Sequence, residues 1–356
     1  TGDTVPFEAL DSDQEWSCEA IPDDGEASGT PGTGSLYIDT MGLPTSEMSF
    51  DSLSYSGTLI DYDIMADGSA RVLTNTGSEY YVQGYSPDGT LEATVFVGTG
   101  SGSGAGVFVS RVSGNTIVAL TSGSAFRYTY LNGDYEVLSD QVTIWTDDYF
   151  EFFDVAIDDT GRAVVMYATG ETRVAWIDDM GTLLGTEVAF DISASNGGHV
   201  AMNQSTGAGI IASQKHSGDG IYYQRFNADF EWIDPVPVQM SAGYHFWYDG
   251  YTVGMNDKGD YVFLWWKSET KMGMAFYDSA GSRVAEIERP SSSWGTYDVF
   301  RLRHQEIPLN GDNFILGETY RGGYLASGWV VDHFEYTPEG VFVSESSTDY
   351  SVAMGL

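Results

Sequence analysis

Turn-forming glycines fall into two interleaved series along this chain, and that rhythm constrains its fold more than any other feature. One series, Gly68, Gly114, Gly161, Gly207, Gly259 and Gly311, advances by 46, 47, 46, 52 and 52 residues. The other runs through Gly42, Gly89, Gly133, Gly181, a turn near Asp229, Gly281 and Gly340. Apolar stretches flank each turn, most clearly in FFDVAIDDTGRAVVMYATGETRVAWIDDMGTLLGTEVAF from Phe152 to Phe190. Short hairpin loops need one residue at positive φ, which glycine adopts without strain, and an Asp or Asn ahead of it caps the turn. Two turns per period therefore mean two hairpins, a unit of four antiparallel strands.

Four-stranded units repeating every 40 to 50 residues are the pattern of β-propeller blades. The expected fold is all-β, a seven-bladed propeller with blades over about 57–98, 106–144, 151–191, 198–240, 250–289 and 297–345. The count of turns explains the ends. The hairpin 36–50 lacks a first hairpin before it, and SVAMGL at 351–356 matches a first strand (compare HVAMNQ) and then stops. The seventh blade is thus expected from 15–50 and 349–356 together, with Glu15–Ile21 as its second strand, which leaves no loose sheet edge in the ring. Residues 1–35 read as an acidic tail and linker around that closing strand, with 22–34 as linker.

Charge narrows the function. Lys and Arg total 15 against 52 Asp and Glu, a formal net charge of −37. Such a surface repels the phosphate backbone and anionic bilayers, and it suits a salty or calcium-containing medium. Nucleic acid is not an expected partner. No apolar run approaches the ~20 residues of a membrane helix. Cys18 is alone, which excludes an internal disulfide and a cysteine-based zinc site. The start at Thr1-Gly2-Asp3 is compatible with a processed, exported chain.

The segment Ile221-Tyr222-Tyr223-Gln224-Arg225-Phe226-Asn227, with Trp176-Ile177-Asp178-Asp179-Met180-Gly181 as a looser copy, resembles the "IYxQRFDxxG" hairpins of bacterial secreted propeller repeats in large surface and adhesin-like proteins. The resemblance covers most of 57–345. It implies an extracellular, cell-surface or periplasmic propeller and carries no catalytic residues across.

Enzyme signatures are scarce. The chain contains no G-x-S-x-G elbow, no G-x-x-x-x-G-K-S/T loop and no H-E-x-x-H helix. Ser86–Thr90 (SPDGT) starts like a sialidase Asp-box but lacks the aromatic end, and GSGSG at 100–104 has no helix behind it to cradle a phosphate.

The blade assignment places inter-blade loops and the loops between second and third strands on one face. That face carries Trp145, Asp147, Asp148 and Tyr149, then His245, Trp247, Tyr248 and Asp249, then Trp294, Tyr297 and Arg321. Aromatic rings stack on apolar sugar faces while carboxylates accept hydroxyl hydrogen bonds, so a saccharide or a partner protein is the expected ligand. The competing reading is that each Trp packs between sheets. His216 and His245, near Asp219 and Asp249, are the candidate metal ligands for copper, and calcium would suit the Asp-rich turns, although turn capping explains those better. His199, His304 and His333 read as structural. A non-enzymatic binding module is the leading expectation. A self-assembling subunit of a surface layer or filament is the first alternative. A metal-binding protein or a glycoside hydrolase using Asp147 or Asp148 with Asp249 is the second.

Overall fold

A computed structural model describes residues 15–20, 32–37, 58–100, 104–122, 125–146, 152–168, 171–215, 220–241, 251–268, 271–290, 314–321 and 329–350. All regular elements among them are strands. The first two, β1 (Glu15–Ala20) and β2 (Gly32–Tyr37), pair antiparallel from Glu15↔Tyr37 to Ala20↔Gly32 and belong to a small unit of their own. β2 begins inside the stretch expected to be linker.

Among the described residues, the second unit holds six consecutive sheets, two of them joined through a shared strand. Blade 1 is β3 (Thr58–Ile64), β4 (Ala70–Thr76), β5 (Glu79–Tyr85) and β6 (Leu91–Thr99). Blade 2 is β7 (Ala105–Val109), β8 (Thr116–Ser122), β9 (Ala125–Leu131) and β10 (Val137–Thr146). Blade 3 is β11 (Phe152–Ile157), β12 (Ala163–Ala168), β13 (Glu171–Ile177) and the first part of β14 (Leu183–Met202). The rest of β14 opens blade 4, which continues with β15 (Gly209–Lys215), β16 (Ile221–Phe226) and β17 (Val238–Ser241). Blade 5 is β18 (Tyr251–Met255), β19 (Tyr261–Ser268), β20 (Lys271–Tyr277) and β21 (Arg283–Pro290). Blade 6 shows β22 (Phe314–Arg321), β23 (Trp329–Tyr336) and β24 (Phe342–Tyr350). Every pairing is antiparallel and sequential. The loop expected at 192–197, between blades 3 and 4, is instead strand: no proline or glycine breaks the β-compatible run through Asp191–Asn196, Gly197 and Gly198 follow at a register shift, and the two sheets share β14.

Burial follows from the stacking. A middle strand is covered on both faces by neighbouring blades, so β12 (AVVMYA) is buried at every position. The outer strand β6 alternates between exposed and half-buried positions over most of its length. One apolar cluster fills each joint. Val82 and Leu120 lie in the joint between blades 1 and 2, Tyr128 and Val165 between 2 and 3, and Trp176 and Phe226 between 3 and 4. Tyr223 and Phe263 lie between 4 and 5, and Phe276 and Phe334 between 5 and 6.

The turns follow the expected chemistry. Gly68, Gly89, Gly114, Gly161, Gly181, Gly207, Gly259, Gly281 and Gly340 all have positive φ, between 71° and 100°. The Asp or Asn that opens many of the turns accepts their backbone N–H groups: Asp158 from Thr160 and Arg162, Asp178 from Met180 and Thr182, Asn256 from Lys258 and Asp260. Two turns differ. In Asn132-Gly133-Asp134-Tyr135-Glu136 the left-handed residue is Tyr135 (φ 66°), not Gly133 as the spacing predicts. In Asn227-Ala228-Asp229-Phe230-Glu231 it is Phe230 (φ 62°).

Each of these aromatic turns is gripped by an arginine from the preceding blade. Arg71 lies over the Tyr135 ring at 4.2 Å from its centroid, donates to the Tyr135 hydroxyl (2.8 Å) and reaches the Gly133 carbonyl (3.4 Å). Arg162 lies over Phe230 at 5.7 Å and donates to the Ala228 carbonyl (2.8 Å), the same position in its turn. Elsewhere the glycine lets a bulky group approach. Tyr128 and Tyr130 of blade 2 donate their hydroxyls to the carbonyls of Gly181 (2.9 Å) and Gly161 (2.8 Å). Arg225 of blade 4 lies beneath Gly281, and Phe276 of blade 5 beneath Gly340.

Candidate functional site

First strands present one edge to the interior of the ring of sheets, where their N–H groups need acceptors. Aspartates of the preceding blade supply them. Val107 donates to Asp61 (3.1 Å), Val109 to Asp63 (2.8 Å) and Val200 to Asp154 (3.0 Å), each across 46 residues, one repeat. These first strands converge on a cavity of about 80 Å³ whose wall includes Ile64, Val109, Ile157, Met202 and Met255, with Asp63, Arg111 and Gln204 adding polar groups. That volume holds a few waters.

A collar built from one position per blade sits at this end of the first strands. The first residue inside each turn between first and second strands is Ala66, Arg111, Asp159, Gln204 and Asp257 in blades 1 to 5. Ala66 N–H donates to the Arg111 carbonyl (3.1 Å), and Asp159 N–H to the Gln204 carbonyl (2.8 Å). Asn203 Nδ2 donates to the Asp257 carbonyl (2.8 Å). The Arg111 guanidinium spans the remaining gaps, with Nε 4.0 Å from Asp159 Oδ1 and Nη2 3.4 Å from Asp257 Oδ2. An arginine of blade 2 thus reaches a carboxylate of blade 5. Burial pushes the Asp159 carboxyl above the ordinary carboxylate range; Arg111 opposes this, while Asp257 and Asp158 add to it. Farther along the first strands, His199 Nδ1 lies 3.4 Å from Asp154 Oδ2, with its ring edge-on to Tyr251. A carboxylate that fixes an imidazole is the orienting half of a general-base pair. Here the same Asp154 oxygen also caps Val200, which ties the pair to the joint between blades 3 and 4.

Of the residues singled out from sequence, Trp145 is described in full. It is half-buried at the end of β10 rather than presented to solvent. Arg173 lies over its ring at 4.6 Å and Tyr167 packs at 6.2 Å between centroids, both from blade 3. It is a joint residue, because an indole at the end of an outer strand faces the apolar flank of the next sheet. Arg321 is the last residue of β22, opposite Trp329 in the ladder. Asp147, Asp148, Tyr149, His216, His245, Trp247, Tyr248, Asp249, Trp294 and Tyr297 lie outside the described residues. Among the described residues, no group of three or more His, Cys, Asp or Glu side chains is placed to hold a metal ion. The collar was missed from sequence. Aligning the repeats on their turns puts Arg111, Asp159, Gln204 and Asp257 in one column, and that column was the available signal.

No family model matches the chain, and no curated protein matches it in sequence. Solved structures do. A Lactobacillus plantarum protein aligns with a TM-score of 0.52 at 11% identity, over 83% of this chain and 86% of its own. A Bacteroides uniformis protein provisionally assigned as a 6-phosphogluconolactonase aligns with a TM-score of 0.51 at 10% identity, over 84% and 88%. The WD40 domain of Toxoplasma gondii coronin gives a TM-score of 0.49 at 11% identity, over 80% and 69%. At such identities the first two likenesses concern the fold. With the sheet order and joint packing above, the chain has the fold of a β-propeller.

Proposed function

We propose that this propeller closes with a seventh blade from both termini and acts outside the cytoplasm as a non-enzymatic binding module. On this reading it recognises a saccharide or a partner protein through its loop face. One observation carries the reading: the charged side chains described around the cavity are committed to joints and turns, while Gln204 Oε1 is buried without a hydrogen-bond partner. Arg111 bridges Asp159 and Asp257, Asp61, Asp63 and Asp154 cap backbone, and about 80 Å³ of space remains. Recognition is then left to loops, as is common for sites held on a rigid scaffold. The loops rich in Trp247, Asp249, Trp294 and Tyr297 have the composition for it.

Closure draws support from the far face of blade 1, where Val72, Gln83 and Tyr85 are buried on the side away from blade 2. The location draws support from the charge of −37, whose self-repulsion a salty exterior screens.

A glycan array probed with the parent and with a Trp247→Ala/Trp294→Ala variant tests the ligand. Saccharide binding that the variant loses supports the reading, and binding that persists unchanged sinks it. Deleting 351–356 tests closure separately. The expected outcome is a melting temperature lowered by several degrees, and an unchanged melt removes the seventh blade.

A further inference from the structure

The outer strands of the blades are sheet edges, and an edge with free N–H and C=O groups recruits another strand unless something blunts it. Five of the six are blunted. β6 carries a register shift at Gly98, which has φ 143°. β10 carries several shifts and a left-handed Gln141 (φ 46°). The outer part of β14 is shifted near Val188 and Phe190, then runs on into blade 4. Ahead of β17 the segment Asp234-Pro235-Val236-Pro237 bulges out of the ladder, clamped by Arg225 on Asp234 at 2.8 and 3.0 Å. β21 ends at Pro290 and projects Arg283, Glu286 and Glu288, all exposed.

β24 differs. It pairs with β23 without a shift from Trp329↔Tyr350 to Glu335↔Ser344, a longer unbroken run than any other outer strand shows, and its one shift falls at Val343, at the start of the strand. It contains neither proline nor glycine, and among the described residues no strand pairs with its other side. Phe342 and Val343 at its start are about half exposed.

We propose that β24 is a self-association edge on which a second copy of this chain adds its own β24, antiparallel, about a two-fold axis at Ser346. The register argues for a second copy. Centring FVSESSTDY on Ser346 places Phe342 opposite Tyr350, Val343 opposite Asp349, Ser344 opposite Thr348 and Glu345 opposite Ser347. Over the regular run beyond the shift at Val343, this register sets no acidic position opposite another, although both strands are acidic. The net charge of −37 opposes approach of two copies, so association strengthens as salt screens it.

Sedimentation of the full chain across ionic strength is the first measurement. A monomer–dimer equilibrium that shifts to dimer with added salt is expected, and a monomer at every salt concentration overturns the proposal. Consecutive residues alternate between pairing with β23 and pointing outward, so one of Ser346→Pro and Ser347→Pro should keep the parent's melt and lose the dimer. A dimer that survives in both, folded, overturns it. Cysteine crosslinking in a Cys18→Ser background reads the register without a proline. Ser346→Cys should give a disulfide-linked dimer under mild oxidation, because directly opposed residues lie within disulfide reach. Ser344→Cys, displaced from its own copy by four residues, should not. Equal crosslinking at the two positions, or none at 346, overturns the register.

Discussion

The joints between blades 1 and 2 and between blades 3 and 4 are built differently from the three others described. In the first pair an aromatic residue takes the left-handed turn position and an arginine of the preceding blade clasps it. In the others a glycine takes that position and a tyrosine, arginine or phenylalanine of the preceding blade presses against the bare backbone. Both solutions fill the same gap from opposite sides. Where the preceding blade fills the gap itself, with Tyr130, Arg225 or Phe276, the turn is a glycine; where Arg71 or Arg162 leaves room above its guanidinium, the turn carries the ring. An aromatic residue at φ near 65° costs about 1–2 kcal/mol, and the cation–π contact with its accompanying hydrogen bond returns a similar amount.

The sharpest way to break this contrast is to add bulk to a glycine joint. Gly181→Ala would place a methyl 2.6 Å from Tyr130 Cγ on a backbone at φ 75°. We expect a loss of about 3 kcal/mol or more, read as a fall in melting temperature, and a loss below about 1 kcal/mol would show that the joint is soft. Next is Arg162→Ala. It removes the bonds to the Ala228 and Thr206 carbonyls and leaves Asp158, which is buried, without its ion pair at 2.7 Å. The expected loss is about 2–3 kcal/mol by denaturant titration.

A smaller effect is expected from Tyr135→Gly, about 1 kcal/mol, because relief of the left-handed strain offsets part of the lost packing. A double-mutant cycle with Arg71→Ala should return a coupling near 1 kcal/mol, and a coupling of zero would mean that Arg71 and Tyr135 do not act together.

The smallest effect is a pH dependence at Asp234 in blade 4. Burial raises its carboxyl, but the bonds from Arg225 outweigh burial and hold it below the usual range. A group depressed in the folded state stabilises above its unfolded value, near 3.9, and that stabilisation is lost as pH falls through the folded value. Asp234→Asn should therefore melt lower than the parent at neutral pH, and the gap should close in strong acid. A gap that persists there would assign the difference to packing.

Much of this organisation was legible in the sequence. The period located six sheets and most of their hairpins, because positive φ at a tight turn favours glycine; the turns at Gly42 and Gly311 lie outside the described residues. Tyr135 and Phe230 were invisible to that reasoning, because an arginine distant in the chain sets their conformation rather than the turn itself. The loop expected between blades 3 and 4 is a strand because the run Asp191–Asn196 follows the pairing its neighbours offer, and Gly197 and Gly198 are absorbed by a register shift. Trp145 illustrates a further limit: an indole at the end of a strand has the same composition whether it meets solvent or the next sheet. The collar needed comparison of repeats by turn position, since an arginine beside two acidic turns has meaning only once the turns share one rim.

β14 is shared by two blades, and that has a mechanical consequence. Twenty residues of strand, Leu183–Met202, join the two blades without a loop, and the chain bends there only through register shifts. A fluctuation that lifts blade 3 must drag the first strand of blade 4 along, so amide exchange at Val164–Met166 and Ile210–Ala212 should rise and fall in step. Exchange in step at both places is the expected mark of two blades that move as a single plate.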